Sequence, residues 1–410
     1  MRYFLLLYII ITIGSPLCGE TSPKNDIEVL RAWIDAKRQV TVRERGGNLS
    51  LSGEVRTEFQ STYESVDGRP QRGVLLDGDK KYPRNMWDVE ASLLLDYRTD
   101  RTWASAKLKF DNDMGTQTKT TNKLSVARAY LGGRLYDGVT NTFDVWLGRW
   151  GLGYVFDSKI QFGSLMDGLL LRYDRASEDI GDFALRGGAF LINDTLNRYG
   201  YVAEASLLNI GRTKFYSKLS LIDWDTPYTN ITTGDQAGQE LLKNACRFCN
   251  LQWLLGYKQP LPARWGNMLT AYGAILYNTA SKAYTVNETD VGRTPFAGYI
   301  GFSTGQLRKK RDWSFDINYQ WVEAQALPQF DSSGIGRGNV LNTPFYSKDK
   351  DPKKCLQGAT NYQGWACEFL YLITNNITLY QSWQQSRPLS GKIGLPFRYN
   401  QYEMEWIYAF

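Results

Sequence analysis

The 410-residue chain contains no histidine. That removes the side chain most often used as a general base and as a metal ligand. No catalytic residue, metal site or cofactor is therefore expected. Long apolar runs are also missing. Beyond the first residues, charges or Gly/Pro interrupt every apolar stretch, and a spanning helix needs about 20 apolar residues. A strong excess of one charge is absent as well. Forty-eight Lys and Arg against 42 Asp and Glu leave a net charge of +6. This is mild for the length and gives no case for nucleic acid as a partner.

Cysteine is scarce, with five in all. One of them, Cys18, lies in an N-terminal segment that reads as an export signal. Met1-Arg2 is followed by an apolar run from Tyr3 to Ile13 and then by Gly14, Ser15 and Pro16. A charge, a short apolar core and a small residue fit a secretory signal over 1–19, cut at Gly19-Glu20. Lipidation at Cys18 is disfavoured, because Ser15-Pro16-Leu17 is not the usual lead-in. In an exported chain, Cys246, Cys249, Cys355 and Cys367 are disulfide candidates with three pairings open. Cys246-x-x-Cys249 also matches redox or zinc spacing. A strand-like run follows it, however, where a thioredoxin-like motif needs a helix.

Aromatic residues and glycine are abundant: 26 Tyr, 13 Trp, 18 Phe and 38 Gly, with a mean hydropathy of −0.40. One amphipathic helix is expected over 25–40, capped by Asn25 or Asp26, with Ile27, Leu30, Trp33 and Ile34 on one face. After Gly46-Gly47 the period changes to two. Leu49, Leu51, Val55, Phe59 and Tyr63 alternate with Ser50, Ser52, Glu54, Arg56, Glu58 and Gln60. Trp313 to Trp321 alternate with Asp312 to Gln320 in the same way.

About sixteen such runs are predicted: 49–64, 86–99, 102–112, 122–136, 140–151, 164–174, 181–193, 198–208, 212–226, 248–259, 267–279, 295–305, 312–325, 365–374, 377–386 and 398–410. Many span 10 to 15 residues, the length of a tilted transmembrane strand. Connections alternate between long and short, an arrangement that a soluble sandwich or propeller does not predict. The expected fold is all-β, a transmembrane antiparallel barrel of about sixteen strands with a short N-terminal helix. Its parts are 1–19 (signal), 20–46 (helix and linker) and 47–410 (barrel).

The chain ends with Tyr402, Met404, Trp406, Tyr408 and Phe410 on one face of a strand. This resembles the C-terminal signal that assembly machinery reads in outer-membrane barrels, and with the strand count the chain resembles a bacterial outer-membrane porin. The resemblance implies a passive channel for ions and small hydrophilic solutes, seated in outer-membrane lipid and assembled as a homotrimer. Outer-membrane phospholipases and omptin-like proteases need a histidine, so their mechanisms are excluded.

If aromatic faces meet lipid, the opposite faces line a lumen. Pore-lining candidates for selectivity are Arg56, Arg98, Lys107, Lys109, Arg128, Arg172, Arg186 and Lys218. Inward acids include Glu54, Glu58, Glu90, Asp96, Glu204, Asp316, Glu403 and Glu405. The basic early strands suggest a slight anion preference. Parity places Arg149 with Phe143, Val145 and Leu147 unless a bulge lies near Gly148. The third long loop is expected to fold inward as the constriction, carrying Tyr154, Asp157 and Lys159. It departs from the Pro-Glu-Phe-Gly-Gly-like motif of general porins, having only Gln161-Phe162-Gly163-Ser164. The four cysteines are expected to tie the fifth and seventh loops at the outer mouth. An adhesive or structural barrel without transport is the alternative, and a soluble lectin or hydrolase is the third reading. A TonB-dependent transporter needs a longer chain.

Overall fold

The computed structural model describes residues 40–44, 47–73, 83–114, 123–177, 180–194, 198–224, 247–262, 265–286, 289–336, 360–391 and 396–410. The expected signal peptide and residues 25–39 of the expected helix lie outside the described residues, and Val40 begins a strand.

Sixteen antiparallel strands form the wall: β1 (Gly47–Val66), β2 (Asn85–Arg98), β3 (Thr102–Asp113), β4 (Lys123–Asp137), β5 (Asn141–Gly151), β6 (Leu165–Arg175), β7 (Asp182–Asn193) and β8 (Arg198–Leu208). Then follow β9 (Phe215–Trp224), β10 (Phe248–Pro260), β11 (Met268–Asn278), β12 (Phe296–Gly305), β13 (Trp313–Val322), β14 (Tyr362–Leu372), β15 (Ile377–Arg387) and β16 (Phe397–Ala409). Each pairs with its chain neighbours. β1 also pairs with β16, from Glu54 opposite Ala409 to Val66 opposite Phe397, so the sheet closes and leaves no edge. Two short strands, Val40–Glu44 and Arg69–Pro70, pair with the ends of β1.

Alternation decides which way each side chain points. On β1, Leu49, Leu51 and Val55 are about 40% exposed, while Ser52, Glu54 and Arg56 are at most 5% exposed. A soluble protein would show the reverse, whereas a barrel with lipid outside and a polar interior shows this order. The final strand follows the pattern: Tyr402, Trp406, Tyr408 and Phe410 are exposed and Met404 is partly exposed. At the seam, the Phe410 amide donates to Gly53 O and the Gly53 amide to Phe410 O, both at 3.0 Å. A Cβ on Gly53 would lie 2.6 Å from the Phe410 ring, so glycine lets the terminal aromatic cover the closure.

Turns on one side are tight. Thr99 Oγ1 accepts from the Thr102 amide at 3.0 Å and closes the β2–β3 turn. The Gly138 amide donates to Asn141 O at 2.9 Å between β4 and β5. The other side carries the long connections, including 67–84, 152–164, 225–247, 279–295 and 323–361, with 194–197 as a short exception. Within 279–295, Tyr284–Val286 and Thr289–Val291 make a small hairpin of their own.

Candidate functional site

The interior is crossed by residues 152–164, the connection from β5 to β6. It begins as a single helical turn, α1 (Leu152–Val155), and then runs inward. Leu152, Phe156, Ile160 and Phe162 are at most 3% exposed, which is unusual for a connection between strands. Phe156 and Phe162 join Trp150, Met166, Leu170, Phe190, Val202, Ile222 and Trp224 in one apolar cluster on the wall from β5 to β9. Ile160 enters a second cluster with Leu254, Leu276, Tyr299, Val322 and Tyr362 on β10 to β14. The loop is therefore cemented to half of the inner wall by the hydrophobic effect.

Its polar groups anchor it as well. Arg186 Nη1 donates to Val155 O at 2.5 Å, and Arg128 stacks over the Tyr154 ring at 4.1 Å. Lys218 Nζ pairs with Asp157 Oδ2 at 2.9 Å. Ser158 Oγ donates to Gln252 Oε1 at 2.7 Å, and Gln252 Nε2 donates to Asp157 O at 2.9 Å. Lys159 Nζ pairs with Asp316 Oδ1 at 3.2 Å. The three residues singled out for the constriction, Tyr154, Asp157 and Lys159, are thus engaged with wall side chains. Their charges bind the loop to β9 and β13, a use that spacing along the chain does not disclose.

The basic candidates on β3, β6, β7 and β9 are paired in the same manner, while Arg128 on β4 makes no ion pair among the described residues. Lys107 meets Glu54 at 3.2 Å, Lys109 meets Glu90 at 2.7 Å and Arg172 meets Asp174 at 2.5 Å. Arg186 also reaches Glu204, at 3.3 Å. Arg56 sits between Glu54 at 2.9 Å and Glu405 at 3.0 Å, with Glu90 at 3.9 Å. Arg98 stands exposed at the end of β2 beside the tight turns. Arg128 faces Lys107 because the register shifts after Lys107, where a bulge in β4 inverts the parity.

The opposite part of the wall carries an acidic arc, built from the inward acids of the chain's two ends where the barrel closes. Glu58 lies across from Asp88 on β2 and Glu405 on β16. Glu403 pairs across with Ser382, Ser382 with Glu368, and Glu368 with Asp316. Among the described residues, Glu58, Glu368 and Glu403 form no salt bridge. Carboxylate oxygens of Glu58, Glu403 and Glu405 lie within 4.8 Å of one another, the described set with spacing suited to holding a cation. The signal was present in the sequence as inward-parity acids, but register was needed to bring them level.

Arg149 remains on the outer face despite Gly148 (φ 136°), where its Nε contacts Asp167 Oδ1 at 2.6 Å. The cysteine reading needs correction. Cys367 lies within β14, between Ile317 on β13 and Trp383 on β15, away from any loop. Cys249 lies in β10, and both thiols are unbonded. β14 begins at Tyr362, three residues before the predicted start, and Cys367 lay within the predicted run 365–374 as well. Cys246 and Cys355 lie outside the described residues.

No family model matches the chain, and no curated protein matches it in sequence. Its structure is similar to several solved outer-membrane proteins. OprB of Pseudomonas putida aligns with TM-score 0.50 at 12% identity, covering 88% of this chain and 94% of that one. OmpF of Salmonella typhi aligns at 14% identity with TM-score 0.47, covering 90% and 100%. The outer membrane channel DcaP of Acinetobacter baumannii aligns at 12% identity with TM-score 0.47, covering 90% and 99%. With a closed sixteen-strand wall, an apolar exterior and an inward loop between β5 and β6, the chain has the fold of the bacterial outer-membrane porins.

Proposed function

We propose that the protein is a passive, non-catalytic channel of the bacterial outer membrane for ions and small hydrophilic solutes, with a preference for cations. One observation carries this reading: the inward loop is fastened along β5–β13 and the start of β14, which leaves the carboxylates of β14–β16 and β1–β3 facing the solute path. There Glu58, Glu368 and Glu403 make no ion pair, while the basic residues of β3, β6, β7 and β9 are neutralised by partners. Rings of unneutralised carboxylate bias a pore toward cations. That pairing favours cations over the anion preference suggested by counting basic residues along the early strands.

Planar-bilayer recording across a salt gradient tests the reading. Steady conductance steps with a reversal potential of cation-preferring sign are expected. An inserted barrel that stays silent would overturn the channel and leave the adhesive or structural alternative. The finer parts of the proposal are assembly as a homotrimer and recognition of the Tyr402–Phe410 face by the barrel assembly machinery. The outward Arg149–Asp167 pair supports a protein neighbour, since charges on a lipid-facing wall are unfavourable by about 2–4 kcal/mol at mid-bilayer. Cross-linking in native membranes should give a three-subunit band.

A further inference from the structure

The connection from β13 to β14 begins inside the barrel. Ala324, Gln325, Ala326, Leu327, Asp331 and Ile335 are at most 1% exposed, although an outer loop ordinarily lies at the surface. Two 3-10 turns, Gln329–Asp331 and Gly334–Gly336, shape it. Wall groups hold its root: Asn278 Nδ2 donates to Gln325 O at 2.6 Å, and Gln325 Nε2 donates to Lys282 O at 2.8 Å.

Its far end grips the inward loop. The Gly163 amide donates to Asp331 O at 2.9 Å, and the Ser164 amide donates to Asp331 Oδ1 at 3.3 Å. Ser164 Oγ donates to Phe330 O at 2.9 Å. In return, the Ser333 amide donates to Ile160 O at 2.9 Å and Ser333 Oγ donates to Gln161 O at 2.8 Å. The two backbones approach so closely that a Cβ on Gly163 would lie 2.6 Å from Ser332 O. Ile335 and Ile160 share one apolar cluster, and Phe330 sets its edge on Trp224 at 4.6 Å.

We propose that 324–336 is a second constriction element, and that Asp331 and Ser333 are positioning residues which set the bore by holding loop 152–164. Five hydrogen bonds in both directions between two loops, on top of shared apolar burial, define one rigid body where either loop alone would have many conformations. Neither residue belongs to the acidic arc, so their effect is on size and steadiness of the pore, not on charge preference. The proposal rests on the channel reading.

The test uses the full-length protein. Asp331→Ala/Ser333→Ala should remain a folded barrel by heat-dependent gel migration, yet show noisier openings, higher single-channel conductance and admission of larger polyethylene glycols. Ser333→Thr, which keeps both donors, should restore wild-type behaviour, and the reversal potential should not move in either variant. A folded double variant with unchanged noise, conductance and polymer cutoff would overturn the proposal. If that variant does not fold, hydrogen exchange on the wild type decides: the Gly163 and Ser333 amides should be protected, and rapid exchange at both overturns the brace. A wild type that folds but does not conduct sinks the channel reading instead, while the exchange result still judges the contact between the loops.

Discussion

The inner wall has two unlike halves. From β5 to β13 it carries the two largest apolar clusters and is covered by the inward loop, with Trp150, Leu152 and Ile160 fully buried and polar groups such as Gln252, Asn318 and Gln320 buried beside them. From β14 through β16 and on to β3, serine, glutamine and carboxylate stand beside a smaller apolar patch of Leu370, Leu372, Tyr380 and Ile407, and some of its charged side chains keep exposure. Lys109, for example, is 33% exposed and Glu90 14%. The same period-two strand builds both halves, because the alternation rule says only that one face turns inward. What fills that face depends on what covers it. Under a loop, aromatics and aliphatics exclude water; beside a water path, charges remain and pair with each other.

The contrast can be broken at several points. Trp150→Ala, at the centre of the covered half, should show the largest loss of stability, about 3–5 kcal/mol by the usual cost of emptying a core site. Urea unfolding in detergent measures it, and reversal potential should not change. Arg56→Met comes next. It leaves Glu405 without its cation and Glu54 still paired to Lys107, and breaking a buried pair on one side costs about 3 kcal/mol. Unlike the first change, it should also strengthen cation preference. Glu58→Gln/Glu403→Gln should leave unfolding nearly unchanged and move the reversal potential toward zero; no movement would remove the arc from selectivity. Lys109→Gln, at a partly exposed pair, should alter stability by no more than about 0.5 kcal/mol. It should shift the reversal potential slightly in the cation direction, opposite to the glutamate changes.

Most strands were legible because lipid enforces a strict face. Leu219, Leu221, Leu251 and Trp253 sit where alternation puts them, all outward. The site was less legible. Arg128 was expected inward, but the bulge beside it, which inverts parity along β4, leaves only a faint mark in sequence. Tyr154, Asp157 and Lys159 were found on the correct loop but with a different use. Each reaches a partner far along the chain, Lys218 and Asp316 among them, and no local pattern encodes such a pair. The part played by 324–336 was not visible at all, since its turn residues read as an ordinary outer loop.

By itself, the sequence determined the number and length of the strands, which side carries long connections, and which face meets lipid. A strand buried in hydrocarbon must pair every backbone group and present an apolar face, and both demands are written locally. Only the tertiary structure decided which inward charges are neutralised, which half of the lumen is filled, and that two loops hold one another. Those outcomes depend on register around a closed ring, where residues as distant as Glu58 and Glu405 become neighbours.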